Sequence, residues 1–397
     1  MRAYYRILSI LACAALAFLA AGCQPPPAAS SSPESGSSVS AEEPPAGDSI
    51  GVFTNVRDFG AKGTGKTDDS AAIQAAIDSL GETGGTVYFP EGKYACHNIV
   101  VKPHVCLLAK PTWSYSDADK NGATVLMLNN PEARCLLDLS SAYGSTVEGL
   151  ALDGRGLGVG IHGISVNRED AGDNENALRI QQCRVSGFSG DGVHLAVAWA
   201  ITVRDNLLMA NTGNGLYVKG WDVFILDNWL TANGKNGYYG FPNNNKGILL
   251  RGNRVEWNGE HGVFGPGMSS ALIEQNQIDS NGASGLYLDN FKHVNVTGNF
   301  LFRNGRSTQE DLYSSNVYLE NGRALVLSSN TFGAYTNDDG SAELRPRYGV
   351  TYYKVRQSVL SGNDLYQSAV TKPLNDRGGN EGLVIRDNIE SLAGEDY

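Results

Sequence analysis

The chain has 397 residues, a formal net charge of −11 at neutral pH and 48 glycines. This acidic balance argues against nucleic acid as a partner and offers no general attraction for polyanions. The length is large for one compact domain but ordinary for a solenoid, which grows by adding repeats.

The N-terminus reads as an export signal covering residues 1–22. Arg2 and Arg6 precede an apolar run, residues 7–19, that is too short to span a membrane. Small residues then lead into Cys23, a pattern that resembles a bacterial lipoprotein signal and predicts acylation of Cys23; ordinary secretory cleavage is the alternative. We therefore expect an exported protein, lipid-anchored to the cell envelope at the outer membrane or cell surface, which meets the membrane only through that lipid.

Two further segments follow the signal. Residues 23–50 are rich in Pro, Ser, Ala and Glu without an aromatic, which predicts a disordered tether. Residues 51–397 are patterned throughout and are taken as one domain. Loss of the two signal arginines leaves the mature chain at a net charge of −13. Four cysteines remain in an oxidising compartment, and the sequence leaves open whether they pair or stay as core thiols: Cys96, Cys106, Cys135 and Cys183.

The domain opens on a segment, residues 53–94, that predicts a cap. Asp68 or Asp69 can begin a short helix with Ile73, Ile77 and Leu80 on one apolar face. A glycine pair then turns the chain into a strand at residues 86–89. An open solenoid end needs such a lid over its core.

This segment, read as Phe-Thr-Asn-Val-Arg-Asp-Phe-Gly-Ala-Lys-Gly from Phe53, resembles the N-terminal signature of the pectate-lyase-like superfamily, of the rhamnogalacturonase and epimerase type. The resemblance implies an all-β fold, a right-handed single-stranded parallel β-helix with a short N-terminal capping helix. The superfamily includes pectate and alginate lyases, epimerases, rhamnogalacturonases and phage tailspike glycosidases. The signature therefore says little about the reaction.

Repeats in the second half of the chain predict the same architecture. Glycine-centred tripeptides at 214–216, 236–238, 261–263 and 284–286 recur every 22, 25 and 23 residues, each opening a short strand. Asparagines recur in phase and are expected to hydrogen-bond from coil to coil. Two later coils are longer, and their insertions, 303–314 and 337–347, are expected to form loops beside a binding surface.

Strand alternation places residues one and three after each glycine inward and residues two and four outward. Position two then predicts an exposed aromatic ladder, and a row of rings is a usual surface for sugar. Cross-strand stacking without any ligand is the alternative. The ladder residues assigned to substrate are Tyr217, Tyr239, Phe264, Tyr287 and Tyr318.

One candidate catalytic cluster joins Asp191, His194, Tyr217 and Lys219 on adjacent coils. Uronate β-elimination needs a base for the C5 proton, a cation for the carboxylate and an acid for the leaving oxygen, and these residue types supply all three. A turn-capping role is as good an interpretation of Asp191, and Lys219 could be a solvated rim residue.

A second candidate cluster pairs Asp289 with Glu320 on neighbouring coils. Two carboxylates at suitable separation are the requirement for glycoside hydrolysis. Two like charges on adjacent strands are unfavourable unless something uses or neutralises them.

The epimerase branch of the superfamily has the repeat Gly-Tyr-Gly-Phe-Asp-Pro-His followed by an Asp one coil later. The matching positions here hold Asp191, His194, Ala196 and Lys219, so all four of the family's catalytic residue types are replaced. Epimerisation by that set of residues is not expected. His162 and His261 each precede a repeat glycine and are interpreted as turn residues.

Three hypotheses follow: a polysaccharide lyase, a glycoside hydrolase, or a glycan-binding scaffold without catalysis. A polysaccharide or oligosaccharide is the expected partner in each. No cofactor is required and no metal ligand is assigned, although the acidic loop 168–175 could supply oxygen ligands to calcium. The sugar, its linkage and the oligomeric state are left open.

Overall fold

The computed structural model describes residues 52–111, 113–116, 122–168, 175–306, 313–335 and 345–394. All of these residues lie in one compact unit that begins at Ser49. In this part of the chain no helix is long and apolar enough to cross a membrane. The export signal, Cys23, the tether, most of both insertions and most of the acidic loop lie outside the described residues.

The domain is a parallel β-helix with three sheet faces. Every recorded strand pair is parallel, and each strand pairs with the equivalent strand one coil earlier and one coil later. The fold prediction is therefore confirmed. Faces 1 and 2 form one continuous sheet, because the strands Val193–Arg204 and Leu216–Leu226 bend from one face onto the next.

Face 1 begins with Ile99–Val100, Cys135–Asp138, His162–Val166 and the first halves of the two bent strands. It continues with Tyr238–Lys246, Val263–Phe264, Leu286–Asp289, Ser315–Glu320, Tyr348–Tyr353 and Lys372–Asp376.

Face 2 contains Phe53–Asn55, Gly85–Tyr88, Val105–Leu108, Thr146–Glu148, Arg179–Gln181 and the second halves of the bent strands. It continues with Leu249–Arg251, Ser269–Glu274, Lys292–Thr297, Arg323–Ser328, Arg356–Ser361 and Glu381–Arg386.

Face 3 is a separate sheet, with 13 strands in the part of the chain that the structure describes. Its strands are Thr64–Asp68, Gly92–Cys96, Thr124–Leu128, Ala151–Asp153, Arg184–Ser186, Leu207–Met209, Trp229–Thr231, Arg254–Glu256, Gln277–Asp279, Phe300–Phe302, Thr331–Gly333, Asp364–Ala369 and Ile389–Leu392.

The core follows the predicted strand alternation. Val193 and Leu195 are fully buried, as are Leu216 and Val218 in the next coil. A side chain that points inward meets the equivalent side chain of the coils above and below, since the strands are in register. The inward positions therefore stack into one continuous apolar column, and the alternate positions face outward.

Two buried asparagine ladders close the turns on either side of face 3. In the first, the Nδ2 of Asn228 donates to the Oδ1 of Asn253 at 3.0 Å, and Asn253 donates to Asn276 at 2.9 Å. In the second, Asn233 donates to Asn258 at 3.0 Å and Asn258 to Asn281 at 2.9 Å. Each amide also satisfies backbone groups of its neighbours, so these turns carry few unpaired polar atoms.

The N-terminal cap comprises a 3₁₀ turn, Val56–Phe59, and one α-helix, Ser70–Asp78. Ile73 and Ile77 of the helix are fully buried, and Leu80, just beyond the helix, is also buried. The two aspartates accept hydrogen bonds from different parts of the backbone. Asp68 accepts from the backbone nitrogen of Ser70 at 2.9 Å, whereas Asp69 accepts from two backbone nitrogens of the preceding loop.

All four cysteines of the domain are free thiols. Cys96, Cys135 and Cys183 are buried and Cys106 is half-buried. Burial raises the pKa of each thiol, to about 12 for Cys135 and Cys183. They are core residues, and the fold does not depend on a disulfide between them.

Candidate functional site

A stack of seven rings runs along the outside of face 1, one ring from each of seven coils. We call it the ring column: His162, His194, Tyr217, Tyr239, Phe264, Tyr287 and Tyr318. Successive ring centroids lie 4.1 to 5.4 Å apart and the planes are within 22° of parallel. From His194 to Tyr318 the column exists because position two of each repeat faces outward and the strands pair in register. His162 joins it from a different position of its strand.

The rings of Tyr217, Tyr239, Phe264 and Tyr287 are half-buried, so each still presents an edge to solvent. Stacking accounts for the covered part, since each ring has a neighbour above and below. The four lie on a single sheet face, as their spacing predicts. Offset-stacked rings stabilise one another, and this is a structural role that the column has with or without a ligand.

Tyr318 departs from the prediction of an exposed substrate-binding ring. It is 2 % exposed, and Tyr313 packs against it with ring centroids 5.4 Å apart. Its hydroxyl donates to Glu320 and accepts from Arg377, both at 2.9 Å. The assignment of Tyr318 to substrate is therefore wrong, because residues from the insertion and the C-terminal coil cover that end of the column.

The other end of the column contains a carboxylate and two imidazoles. The Oδ2 of Asp191 lies 2.7 Å from the Nδ1 of His194 and 3.6 Å from the Nδ1 of His162. The Oδ1 of Asp191 accepts from the backbone nitrogen and Nδ2 of Asn214, at 2.7 and 2.8 Å. One oxygen of Asp191 therefore fixes the turn and the other orients His194.

These contacts set the protonation states of the group. Burial would raise the pKa of Asp191, but the hydrogen bonds from His194 and Asn214 outweigh it and hold that pKa below its usual value. Burial, with His194 close by, lowers the pKa of His162 to about 4. His162 is therefore neutral and Asp191 ionised at neutral pH. With Nδ1 of His194 held by the carboxylate, its Nε2 is the nitrogen left for proton transfer.

Tyr217 adjoins this group, with its ring centroid 4.2 Å from that of His194. Burial, with Tyr239 and Asp191 nearby, raises the pKa of its phenol to about 12. The hydroxyl is consequently protonated at neutral pH and available as a donor.

A cleft of about 570 Å³ opens beside these residues. Its lining includes His162, Asp191, Tyr217, Lys235 and Glu260. Glu260 accepts from the Nδ2 of Asn236 at 3.0 Å, which ties it to the asparagine of the adjoining turn. The cleft thus combines a cation, two carboxylates and ring edges in one open space.

Lys219, the predicted cation, is half-buried and its ammonium lies 5.1 Å from the centroid of the Phe241 ring. Lys219 is not among the residues that line the cleft, whereas Lys235 is. The structure therefore brings Asp191, His194 and Tyr217 together. Asp191 and Tyr217 line the cleft with Lys235, a second lysine missed in the sequence, whereas His194 lines an adjoining cleft of about 320 Å³ that shares His162 with it.

Asp289 and Glu320 are direct register partners on adjacent coils of face 1. Both are half-buried. Asp289 accepts from the Nδ2 of Asn321 at 3.1 Å, while Glu320 accepts from the hydroxyl of Tyr318. The two carboxylates share one side of the sheet, as the alternation predicts, but each is engaged by a different neighbour.

His162, Asp191 and His194 each offer one ligand atom, and these atoms lie within 4.8 Å of one another. Two imidazoles and a carboxylate are common ligands of divalent metals. In the structure the Nδ1 of His162 accepts from the backbone nitrogen of Asp191 at 3.0 Å, and the Nδ1 of His194 lies 2.7 Å from the Oδ2 of Asp191. The atoms that orient the two imidazoles are thus among those that a divalent metal would use.

The sequence predicts a turn role for His162, but His162 begins the strand His162–Val166 and its ring belongs to the ring column. Ser165, at position two of the same strand, is the register partner of His194 and is small, and the ring that stacks on His194 is that of His162. A small residue at position two with a histidine three residues earlier is the pattern that could have indicated this. His261 likewise packs against rings, with centroids 5.0 Å from Tyr287 and 5.3 Å from Phe264.

Comparison with known proteins places the chain in a family. A family model described as rhamnogalacturonase A/epimerase, pectate lyase-like, matches residues 53–248, and one described as right handed beta helix region matches residues 239–388. The chain belongs to the pectate-lyase-like superfamily of right-handed parallel β-helices. Its N-terminal signature and its repeats are thus both those of the superfamily.

Two curated relatives cover different shares of the chain. Depolymerase 1, capsule K30/K69-specific, of Klebsiella phage K5-2 is 24% identical over 328 residues, which is 76% of this chain and 39% of that protein. Mannuronan C5-epimerase AlgE4 of Azotobacter vinelandii is 29% identical over 173 residues, 41% of this chain and 31% of that protein. The chain spans well under half the length of either relative.

Solved structures of other proteins share the fold. The A-module of mannuronan C-5 epimerase AlgE6 from Azotobacter vinelandii has a TM-score of 0.63 at 22% identity, covering 85% of this chain and 99% of that one. Tailspike protein 2 of bacteriophage CBA120 has a TM-score of 0.65 at 16% identity, covering 84% and 51%. Identities this low show a common β-helix and nothing about the reaction.

Proposed function

We propose that this superfamily member is a carbohydrate-active enzyme that binds a polysaccharide across the ring column and cleaves it by uronate β-elimination. The observation that carries the proposal is the pairing of Asp191 with His194 at 2.7 Å, directly beside the stacked tyrosines. A buried carboxylate that orients an imidazole is the arrangement of an activated general base.

Each requirement of the reaction has a candidate residue. His194 takes the proton from C5 of the uronate through Nε2, and Tyr217, protonated at neutral pH, gives one to the departing glycosidic oxygen. The uronate carboxylate needs a cation, and Lys235 on the cleft or Lys219 on the same strand as Tyr217 supplies it. The bond between C4 and the leaving oxygen breaks as the C4–C5 double bond forms.

The relatives support a polysaccharide as the substrate class. The depolymerase is named for a bacterial capsule and the epimerases for mannuronan. Epimerisation by the epimerase residue set is not proposed, since its four positions hold Asp191, His194, Ala196 and Lys219 here.

The proposal is tested by incubating the domain from residue 51 with pectate, alginate and glycosaminoglycans. New unsaturated uronate ends, seen by ultraviolet absorbance, are the expected result. His194→Ala should abolish them, and His293→Ala, an exposed histidine on face 2, is the matched control. Absence of unsaturated ends on every polyuronate would remove the lyase assignment.

A glycoside hydrolase that uses Asp289 and Glu320 is the second candidate. Their direct pairing across adjacent coils is the observation that favours it. New reducing ends without ultraviolet absorbance, lost in both Asp289→Asn and Glu320→Gln, would select this reaction. Binding without any product would select a non-catalytic glycan-binding scaffold instead.

We further propose that the protein is exported, that Cys23 is acylated and that the acidic loop binds a structural calcium ion. Labelling of the full chain with a fatty-acid analogue in a bacterial host, compared with Cys23→Ser, tests the anchor. Thermal unfolding with calcium or a chelator tests the ion.

A further inference from the structure

A second groove follows the corner where face 1 turns into face 2. Its floor is a line of residues at this corner, each paired in register with the next. Four of them begin face 2 strands, Trp221 lies within the bend of its strand, and Lys246 ends the strand Tyr238–Lys246. Four members of this line are basic, and we call them the cationic column. The line runs Trp221, Lys246, Ser269, Lys292, Arg323 and Arg356.

Two clefts lie along this line and form one continuous groove, because Ser269 lines both. The first, of about 430 Å³, includes Trp221 and Lys246. The second, of about 420 Å³, includes Lys292, Arg323 and Arg356. Since strands are ~4.8 Å apart, the six residues span roughly 24 Å, the length of several sugars in an extended chain.

The basic side chains of the groove have no carboxylate partner among the described residues. Lys246, Lys292, Arg323 and Arg356 are all exposed and make no ion pair within 4 Å there. Lys354, which lines the same groove, lies over the ring of Tyr353.

Acidic groups lie beside this line but not on it between Lys246 and Arg356. Asp222 lines the first cleft, Glu381 is the register partner of Arg356, and Asp289 accepts from Asn321, which lines the second cleft. Between Lys246 and Arg356 the line itself therefore carries only basic and neutral side chains, although the chain as a whole is acidic.

Some cations elsewhere on face 2 are paired with carboxylates. Arg204 lies 3.1 Å from Asp205, and Arg251 lies 3.6 Å from Glu274, at the opposite ends of face 2 strands. Like charges directly opposite on neighbouring strands are destabilising. The stacked, unpaired Lys292, Arg323 and Arg356 thus cost stability, which a bound anion on each coil would offset.

We infer that this groove binds an anionic polysaccharide, with acidic groups on successive sugars meeting the cationic column. At the other end, Trp199 and Trp221 lie with ring centroids 6.1 Å apart and offer aromatic faces for a sugar ring. This rests on the proposed function only in taking a polysaccharide as ligand. It does not depend on which reaction occurs at the ring column.

The test is calorimetric titration of the domain in the His194→Ala background, which keeps ligands intact. The probes are alginate oligosaccharides for carboxylates, dextran sulfate oligosaccharides for sulfates, neutral dextran oligosaccharides, and phosphatidylglycerol vesicles. The variant Lys292→Gln/Arg323→Gln should bind the anionic oligosaccharides roughly three- to thirtyfold more weakly, and binding should weaken as salt rises. Lys110→Gln/Arg179→Gln changes the charge equally at exposed positions outside the groove and should bind normally.

Binding to either anionic oligosaccharide with this variant pattern supports the inference and identifies carboxylate or sulfate. Equal weakening in both double variants, binding only to neutral dextran, or binding only to vesicles would overturn it. The outcomes also distinguish this inference from the proposed function. If the wild type yields no product but binding still depends on Lys292 and Arg323, only the catalytic proposal is refuted. If the wild type turns substrate over and Lys292→Gln/Arg323→Gln binds oligosaccharide as well as the wild type does, only the inference about the groove is refuted.

Discussion

Asp191→Asn should remove most of the turnover and leave the turn in place, because the two oxygens of this carboxylate have different partners. One oxygen holds Asn214 at 2.7 and 2.8 Å and the other holds His194 at 2.7 Å. An amide keeps an oxygen for Asn214 but presents its NH₂ to His194. The imidazole must then accept at Nδ1 and carry its hydrogen on Nε2, so it cannot take a proton from the substrate.

The expected size of the effect follows from these contacts. A positioned general base contributes about 10²- to 10⁴-fold, and kcat should fall by that order while KM changes little. Asp191→Asn should cost on the order of 1 kcal/mol of unfolding free energy. Asp191→Ala should cost more, because it also leaves two buried donors of Asn214 unsatisfied, at about 1–3 kcal/mol each.

The assay is the initial rate on the polyuronate found active, with urea unfolding of the same samples followed by circular dichroism. If Asp191→Asn retains wild-type kcat, Asp191 is only a turn residue and His194 is not oriented by it for catalysis. Equal destabilisation by Asp191→Asn and Asp191→Ala would show that the hydrogen bonds from Asn214 to one oxygen of Asp191 do not stabilise the turn.

Three further outcomes are expected. Tyr239→Ala should weaken oligosaccharide binding by on the order of 1 kcal/mol in calorimetry, since the ring is half-buried between neighbours 5.2 and 5.1 Å away; unchanged affinity would mean that sugar does not cross the column. Asn253→Ala should lower the unfolding free energy by about 2–5 kcal/mol, because it removes the hydrogen bonds that Asn253 makes to the backbone nitrogen and Nδ2 of Asn228 and to the carbonyl of Ile225. The exposed Asn295→Ala should change the unfolding free energy little, and equal effects of the two substitutions would contradict a stabilising role of the ladder. Acid titration should show stability falling as the pH drops from about 6.5 to about 4, because burial lowers the pKa of His162 and His261 to about 4 and the unfolded chain then binds more protons; NMR of either imidazole titrating near its ordinary value would refute this.

The parts of the fold that repeat could be predicted from the sequence. Glycine spacing, alternation and the in-phase asparagines predict which residues stack, and Tyr217 over Tyr239 and Asn228 over Asn253 follow directly. Each of these contacts joins equivalent positions one coil apart. The contact can therefore be predicted once the repeats are aligned with one another.

The parts that depend on departures from the repeat could not be predicted. Tyr318 is covered by Tyr313 from an insertion and by Arg377 from a distant coil. His162 enters the ring column from a non-equivalent position because Ser165 leaves room. Predicting these contacts requires knowing where the irregular segments pack against the solenoid, and the repeat pattern does not specify this.

The cationic column could have been found in part from the sequence. Lys292 and Arg356 each lie seven residues after a repeat glycine, Gly285 and Gly349, so the repeat spacing already places them in line. Lys246 lies nine residues after Gly237, and only the register of the strands brings it into the same line. Lys235 and Glu260 were missed for a related reason, since they lie in turns outside the strand alternation.

The most direct measurement of the central claim is a crystal structure of the His194→Ala domain with an oligosaccharide of the active polyuronate. The account predicts a sugar across the edges of Tyr217 and Tyr239, with a uronate C5 facing the vacated position of the imidazole. A ligand bound on face 3, or a ring column left uncovered while sugar occupies another surface, would contradict it.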